Sequence, residues 1–168
     1  MQAVTGVNNQ TAYCELRFKP NVGLVSVVRR FVSAFYERVL GGDAPERIAL
    51  ATHELLENAV KYSVDNETAL RIEVDHDKTP SEICVRTWNR TSLEHRATLE
   101  RRFERLAKST DAFGAYQELM KVAAKRVDGS GLGLARVRAE ADMSLAFELD
   151  DDQVCIIART TAEPQVAP

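Results

Sequence analysis

Hydrophobic and polar positions repeat with two different periods along this chain, and these periods predict its strands and helices. Alternation at every second residue is typical of a half-buried strand, and it occurs from Tyr13 to Lys19. The same alternation occurs over residues 69 to 88, on both sides of a polar turn at 75 to 80. Two further alternating segments lie on either side of a turn at residues 150 to 153. We therefore predict one N-terminal strand and two β-hairpins.

Apolar residues spaced by three and four predict the helices. The first helix is expected between Asn21 and Val39, and the second between Asp43 and about Val64. Residues 92 to 127 favour two charged helices, and a short helix is expected after the glycines at 129 to 133. The spacing assigns one apolar stripe to the first helix, made of Leu24, Val25, Val28, Phe31, Val32, Phe35 and Val39.

The order of these elements, β-α-α-β-β-α-α-α-β-β, predicts the fold class. Strands that pair through short hairpins, with helices grouped between them, are typical of an α+β protein. We expect a two-layer α/β sandwich with a mixed, largely antiparallel sheet. A single domain is expected over residues 12 to 160, between flexible tails at 1 to 11 and 161 to 168.

Charge and composition narrow the class of protein. The chain has 168 residues, and 22 Lys and Arg against 25 Asp and Glu give a net charge of -3. A chain without excess positive charge is not expected to bind nucleic acid or an anionic membrane. The chain shows no signal-peptide pattern at its start and no apolar run long enough to span a membrane, so we expect a cytoplasmic protein. Its three cysteines are far apart in sequence and are expected to be reduced.

The second predicted helix carries the first candidate for chemistry. Glu54 and Asn58 are four residues apart, so they lie on one line at the edge of the apolar stripe. A carboxylate and an amide oxygen placed in this way can hold Mg²⁺ and deprotonate a group that attacks a phosphate. The alternative is an ordinary helix in which Glu54 is a solvated surface charge.

A glycine-rich loop just before the last predicted helix is the second candidate. Gly129, Gly131 and Gly133 alternate with Ser130 and Leu132. Glycines let backbone N–H groups approach a polyphosphate closely, and the following helix N-terminus adds a partial positive charge. The loop lacks the Gly-Lys-Ser/Thr of a P-loop and does not follow a strand, so it fits neither that motif nor the dinucleotide fingerprint. A plain glycine-rich loop is the alternative.

The two motifs together resemble a known family. A helix of the form ELxENAxKYS, followed about seventy residues later by GxGLGL and a terminal hairpin, is similar to the GHKL family, the ATP-binding domain of gyrase, Hsp90, histidine kinases and MutL. The resemblance covers about residues 12 to 160 and implies the Bergerat-type ATP-binding fold. With Glu54 four residues before Asn58, the chain looks most like the stand-alone bacterial anti-sigma-factor serine kinases and related switch-protein kinases.

The resemblance implies ATP and Mg²⁺ as ligands, and it implies a role for each matching residue. Asn58 is expected to bind Mg²⁺, and Glu54 to act as general base on the attacking hydroxyl group. The loop from Gly129 to Gly133, including Ser130, Gly131 and Leu132, is expected to wrap the triphosphate, with Lys61 as a further phosphate contact. Residues 92 to 127 occupy the position of the family's ATP lid and could equally be a surface for a partner.

The adenine-reading motif of the family is changed in this chain. In place of an aspartate followed by glycines, the chain has Trp88, Asn89, Arg90, Thr91 and Ser92. Asn89 holds the place of the aspartate, and its amide oxygen can accept a hydrogen bond from the adenine amino group. Trp88 could stack on a base beside this site or fill the core.

Two functions follow as hypotheses. The first is a regulatory switch protein that phosphorylates Ser or Thr of a small antagonist-type partner and also sequesters a sigma factor or another signalling protein, with a homodimer as a family expectation. The second is a non-catalytic protein-binding module that retains the fold and has a degenerate nucleotide site. The pair Glu54 and Asn58 favours the enzyme, whereas the changed motif around Asn89 favours the module.

Overall fold

The strands and helices follow the predicted order. The structure is a computed structural model that describes residues 11–19, 21–65, 67–124 and 131–163. Its elements in chain order are β1 (Thr11–Phe18), α1 (Val22–Tyr36), α2 (Ala44–Tyr62), β2 (Thr68–Asp75), β3 (Ser81–Arg90), α3 (Leu93–Lys108), α4 (Ala112–Ala123), α5 (Leu132–Ala139), β4 (Ser144–Asp150) and β5 (Gln153–Ala162).

The five strands form one sheet in the order β1-β2-β3-β5-β4, which confirms the predicted α+β sandwich. All four pairings between the described strands are antiparallel, so the parallel component implied by a mixed sheet is not found among them. The reason is that β5 enters between β3 and β4, and both of its neighbours run against it. One inward-facing row crosses the whole sheet through Leu16, Leu70, Thr87, Ile156 and Phe147.

The helices cover one face of this sheet. Along β2 and β3, every second side chain is buried and the residues between them are partly or fully exposed. Ile72 and Val85 are completely buried on the inner face, whereas Arg71 and Arg86 on the outer face form ion pairs with Glu73. The hydrophobic core therefore lies between the inner face of the sheet and the helical layer.

Helix α1 is apolar on two faces, and only one of them packs on the sheet. Val25, Val28, Val32 and Tyr36 are buried. The predicted stripe was wrong for three of its members, because the exposed fractions of Leu24, Phe31 and Phe35 are 39%, 47% and 37%. Both sets repeat at three and four residues, so spacing alone could not tell which set faces the sheet.

Several predicted boundaries shift by a few residues. Strand β5 continues to Ala162, which pairs with Ser81, so the chain remains ordered beyond the predicted boundary at 160. Helix α2 ends at Tyr62, since Ser63 is already extended. Asn21 and Asp111 are the N-caps of α1 and α4 and accept hydrogen bonds from the first turns of these helices, whereas Asp43 at the start of α2 makes no such bond. The rest of the predicted tails, at 1–10 and 164–168, lies outside the described residues.

The three cysteines are free thiols. Cys14 and Cys155 are buried and Cys84 is half-buried. Burial raises the pKa of all three thiols, and it raises the pKa of Cys155 to about 11. These groups are therefore thiols at neutral pH, as expected for reduced structural cysteines.

Membrane-spanning helices are absent from the part of the chain that the structure describes. None of its helices combines the length and the apolar character needed to cross a bilayer.

The packing of α1 yields a prediction about stability. Val32 is completely buried, so Val32→Ala should lower the free energy of unfolding by about 2 kcal/mol, through lost burial and the cavity left behind. Val122 on α4 is 49% exposed, so Val122→Ala should change the free energy of unfolding by less than about 0.5 kcal/mol. Urea unfolding of both variants measures the difference, and equal effects would contradict the assignment of the buried face.

Candidate functional site

Glu54 and Asn58 lie on the edge of α2 that faces α5. Helix α2 buries Ile48, Leu55 and Leu56 against the sheet, and this packing fixes its rotation. Glu54 is 8% exposed and Asn58 is half-buried. A carboxylate buried to this extent is not a solvated surface charge, so the surface alternative for Glu54 is wrong.

Gly133 brings the start of α5 against these two side chains. A Cβ atom at this position would lie 2.8 Å from Glu54 Oε2 and 3.4 Å from Asn58 Nδ2. A Cβ at 2.8 Å overlaps the oxygen, so the carboxylate could not keep its position beside any larger residue. Three of the residues predicted from the sequence, Glu54, Asn58 and Gly133, are therefore in direct proximity.

The turn into α5 depends on Gly131. Gly131 is the N-cap of the helix and has a φ of +112°, a conformation that residues with a Cβ rarely adopt. Leu132 follows as the first helical residue, and its side chain packs against the hydrophobic core. Gly129 and Ser130, which were also predicted to contact a phosphate, lie outside the described residues. The N-terminus of α5 thus begins beside the Glu54 carboxylate.

A pocket next to this contact contains both predicted asparagines. Asn58 from α2 and Asn89 from β3 line a cavity of about 30 Å³ that is partly open to solvent. Asn89 is 8% exposed, and its Nδ2 donates to the carbonyl oxygen of Arg90 at 3.2 Å. This bond leaves the amide oxygen as the group of Asn89 that can accept a hydrogen bond in the pocket. The apolar part of the wall comes from Leu99, Leu134, Val154 and Ile156.

Lys61 is separate from the pocket. Its side chain is exposed, its Nζ lies 5.4 Å from the centre of the Tyr62 ring, and it is not part of the pocket wall. A contact between Lys61 and a phosphate therefore stays a prediction.

Arg136 on α5 is a site residue that the sequence analysis missed. Its Nη1 lies 2.9 Å from Glu54 Oε1, and its Nε lies 2.8 Å from Glu140 Oε2. The hydrogen bond with Glu140, followed by that with Glu54, raises the pKa of Arg136 against the opposing effect of burial. The spacing of Arg136 and Glu140 is visible in the sequence as an i,i+4 pair, but Glu54 is 82 residues away. One carboxylate oxygen of Glu54 is thus held by Arg136, and the other faces Gly133.

Tyr116 on α4 lies next to the polar cluster formed by Glu54, Arg136 and Glu140. It is 7% exposed, and burial raises the pKa of its phenol, with a further increase from the negative charge of Glu140. Helices α2, α4 and α5 are therefore connected through Glu54, Arg136, Glu140 and Tyr116.

Arg102 places a positive charge at the wall of the pocket. It belongs to a helix that the sequence predicts only as charged, but it lines the pocket, and its Nη1 donates to the hydroxyl of Tyr62 at 3.3 Å. Its guanidinium would also lie within 3.7–3.8 Å of a Cβ at Gly131. None of the ion pairs among the described residues includes Arg102. A cation without a carboxylate partner, between the pocket and the start of α5, is well placed to contact an anion.

Arg138 attaches α3 to α5. Its Nη1 donates to the carbonyl oxygen of Leu106, and its Nη2 donates to that of Ser109 at 3.2 Å. These carbonyl groups belong to the C-terminal end of α3, where the helix leaves its acceptors unpaired. The charged segment after β3 is therefore helical and fastened at its middle.

Trp88 takes neither of the positions expected for it. Adjacent residues of a strand point to opposite faces, so Trp88 lies on the outer face of β3 while Asn89 points into the inner pocket. There Trp88 is half-buried and borders a groove with Glu15, Arg71 and Arg90. It neither fills the core nor reaches a base bound beside Asn89.

The side chains around the pocket fit a metal ion that needs few ligands from the protein. The described residues contain no group of three or more His, Cys, Asp and Glu side chains that could hold a metal ion. Mg²⁺ is commonly bound by one or two protein oxygens together with the phosphates of a substrate. Asn58 lines the pocket, and its amide oxygen would be a ligand of this kind.

Comparisons with known proteins support the fold. No protein-family model matches the chain, and no curated protein matches it. Its fold is similar to that of a chain in the crystal structure of the SiaB-SiaC complex from Pseudomonas aeruginosa, with a TM-score of 0.62. The match covers 88% of this chain and 89% of that chain at 14% sequence identity. At this identity, the similarity concerns the fold alone.

The Glu54–Arg136 pair can be tested by a double-mutant cycle. Because the Glu54 side chain is only 10% exposed, we expect Glu54→Gln and Arg136→Gln to show a coupling energy of about 1 kcal/mol in urea unfolding. Glu118 and Lys121, both 69% exposed, provide the control pair, and their coupling should be close to zero. A coupling at Glu54 no larger than that of the control would contradict the proximity of α2 and α5.

Proposed function

We propose that this protein belongs to the GHKL family and is a switch protein that binds Mg-ATP and phosphorylates Ser or Thr of a small partner protein. The observation that carries the proposal is the meeting of Glu54, Asn58 and Gly133 beside a pocket that also contains Asn89. These are residues in which the sequence resembles the family, and the packing of α5 on α2 brings them together although they are far apart along the chain.

The pocket has walls whose chemistry suits the adenine base, and its volume of about 30 Å³ would have to increase to admit the base. Its walls are largely apolar, and Asn89 offers an amide oxygen to a donor. The exocyclic amino group of adenine is such a donor, whereas guanine presents a carbonyl oxygen at the corresponding position. We therefore assign ATP rather than GTP to this site.

The phosphate groups would extend from the pocket towards the start of α5. Free backbone N–H groups and the partial positive charge of a helix N-terminus favour anions there, and Arg102 adds a full charge. Asn58 would hold Mg²⁺, which neutralises negative charge on the phosphates. Electrostatic placement of this kind is most of what phosphoryl transfer requires from a protein.

Glu54 would accept the proton of the attacking hydroxyl. In the transfer, the Ser or Thr oxygen forms a new bond to the terminal phosphorus, the bond from that phosphorus to the ADP oxygen breaks, and the hydroxyl proton moves to Glu54. The oxygen available for this proton is Oε2, because Oε1 is bonded to Arg136. Arg136 would act as a positioning residue that holds the carboxylate in one orientation.

A partner protein is part of this proposal. The similar fold in the SiaB-SiaC structure comes from a complex of two proteins, which supports a function that depends on a protein partner. Regulation by sequestering a sigma factor or another signalling protein is included in the proposal on the strength of the family resemblance.

A non-catalytic binding module is the second candidate function. It is favoured by the ion pair of Glu54 with Arg136, which occupies one oxygen of the proposed base, and by the absence of glycine between Trp88 and Ser92. A module of this kind would bind its partner equally well with and without ATP.

Nucleotide binding is tested by thermal unfolding with ATP and Mg²⁺. ATP at about a hundred times its dissociation constant adds about 2.7 kcal/mol, which corresponds to a rise in Tm of about 5–10 °C for a domain of this size. The rise should be lost with EDTA and in Asn58→Ala, and it should be much smaller with GTP. Glu57→Ala on the exposed side of the same helix is the control and should behave as the parent. No rise with millimolar ATP would leave the binding module as the function.

Phosphate transfer is tested with ATP labelled at its terminal phosphate and a lysate of the organism that encodes the chain. We expect a small labelled protein whose phosphate survives acid, as phosphoserine and phosphothreonine do. Glu54→Gln should reduce labelling by about 10²–10⁴-fold, the usual contribution of a general base, while the ATP-induced rise in Tm is retained. Labelling that is unchanged in Glu54→Gln would show that Glu54 is not the base.

A further inference from the structure

Helix α3 carries a line of positive charges on its outer side. Three exposed cations follow each other at intervals of four and three residues, namely Arg101, Arg105 and Lys108. At these intervals they lie within about 60° of one another around the helix axis. The packed side of the helix, with Leu99 and Leu106, faces the opposite way. We call the three exposed cations the basic stripe.

The basic stripe has no carboxylate partner within the protein. Among the ion pairs of residues 11–19, 21–65, 67–124 and 131–163, none includes a side chain of α3. Arg101 Nη2 donates to the neutral hydroxyl of Thr98 at 3.0 Å. Like charges three and four residues apart destabilise a helix, so the basic stripe does not serve the stability of α3.

The end of the helix does not require these cations either. Positive charges near a helix C-terminus normally stabilise its unpaired carbonyl groups. In α3 this contact is made from α5 by Arg138, which donates to the carbonyl oxygens of Leu106 and Ser109. Arg105 and Lys108 therefore remain available to another molecule.

The basic stripe contrasts with an acidic protein. The chain has a net charge of -3, whereas α3 has five Lys and Arg and three Glu, a net charge of +2. The rest of the chain therefore carries a net charge of -5. A local positive surface on such a chain attracts a short negatively charged segment, while the remaining surface repels a long polyanion such as nucleic acid.

The C-terminal end of α3 is near the proposed site of phosphate transfer. Arg138, which holds this end, is two residues after Arg136, which is bonded to Glu54. Two residues are a rotation of about 200°, so α5 lies between the end of α3 and the Glu54 carboxylate, a separation on the order of 20 Å. A standard protein interface covers about 800 Å² of each partner, a patch roughly 30 Å across. One partner can therefore contact both places.

We propose that the basic stripe binds an acidic segment of the partner protein whose Ser or Thr is presented to Glu54. An extended segment with a carboxylate at every second residue fits the stripe, because these carboxylates are about 6.6 Å apart and the cations rise by about 4.5–6 Å along the helix. The inference rests on the proposed function for the identity of the partner, but binding of the acidic segment does not require ATP.

Binding of a synthetic peptide tests the inference. The probe has alternating Glu and Ala residues next to a Ser, and its counterpart has Gln in place of each Glu. Each peptide is titrated to millimolar concentration into the isotope-labelled protein without ATP, at low ionic strength because salt screens exposed charges. We expect the Glu peptide to shift the amide NMR signals of residues 101 to 108, and the Gln peptide to leave them unchanged.

Two double variants locate the contact. Arg101→Gln with Arg105→Gln should raise the dissociation constant of the Glu peptide by about 2-fold to 30-fold, the effect of losing two exposed ion pairs. Arg30→Gln with Arg159→Gln is the matched control, because it removes two exposed arginines on other elements, and it should bind as the parent. Circular dichroism checks that both variants are folded.

Charge reversal gives a gain of binding. Arg101→Glu with Arg105→Glu should bind a peptide that has Lys in place of each Glu, which the parent should not bind. In the labelling experiment with ATP, the double Gln variant of Arg101 and Arg105 should label the partner more slowly than the parent, while its ATP-induced rise in Tm is retained.

Equal affinity of the two double Gln variants for the Glu peptide, or no binding at millimolar peptide, would overturn the inference. An oligonucleotide that displaces the peptide and binds more tightly would assign the basic stripe to nucleic acid instead. Peptide binding at the stripe without any rise in Tm from ATP would support the acidic contact and contradict the proposed kinase. A rise in Tm without peptide binding would contradict the acidic contact alone.

Discussion

The close approach of α5 to α2 at Gly133 is the constraint on which the rest of the site depends. Without a side chain at this position, the helix N-terminus comes within contact distance of Glu54 and Asn58. The same approach brings Arg136 to the Glu54 carboxylate and Arg138 to the end of α3. One region thus contains a helix terminus, a half-buried ion pair and the anchor of the charged segment.

The parts of this arrangement that could be predicted are those that local sequence determines. The strands and helices follow from periodicity, and Glu54 and Asn58 share an edge because four residues are nearly one helical turn. Gly131 and Gly133 were identified because glycine permits a close approach of the backbone to a ligand. The family resemblance added the expectation that these residues meet, and the structure places Gly133 beside Glu54 and Asn58.

The parts that could not be predicted depend on contacts between distant residues. The partner of Glu54 is an arginine 82 residues later, and no periodicity indicates this pairing. Arg102 lies in a helix that the sequence predicts only as charged, and its position at the pocket beside Tyr62 follows from the tertiary arrangement of α3. In α1, two apolar sets have the same spacing, and the position of the helix on the sheet decides which one is buried.

The attachment of α3 at its two ends bears on how the pocket beside it can open. The pocket is closed on one side by the sheet and α2, and on the other by α3, whose C-terminal end is bonded to Arg138. The opposite end of α3 is attached as well, because the Thr91 N–H donates to the carbonyl oxygen of Asp152 at 2.9 Å and the Thr91 hydroxyl donates to that of Tyr62 at 3.0 Å. The helix that closes the pocket is therefore fixed at both ends, and the pocket can widen only where the hydrogen bonds at one of these ends break.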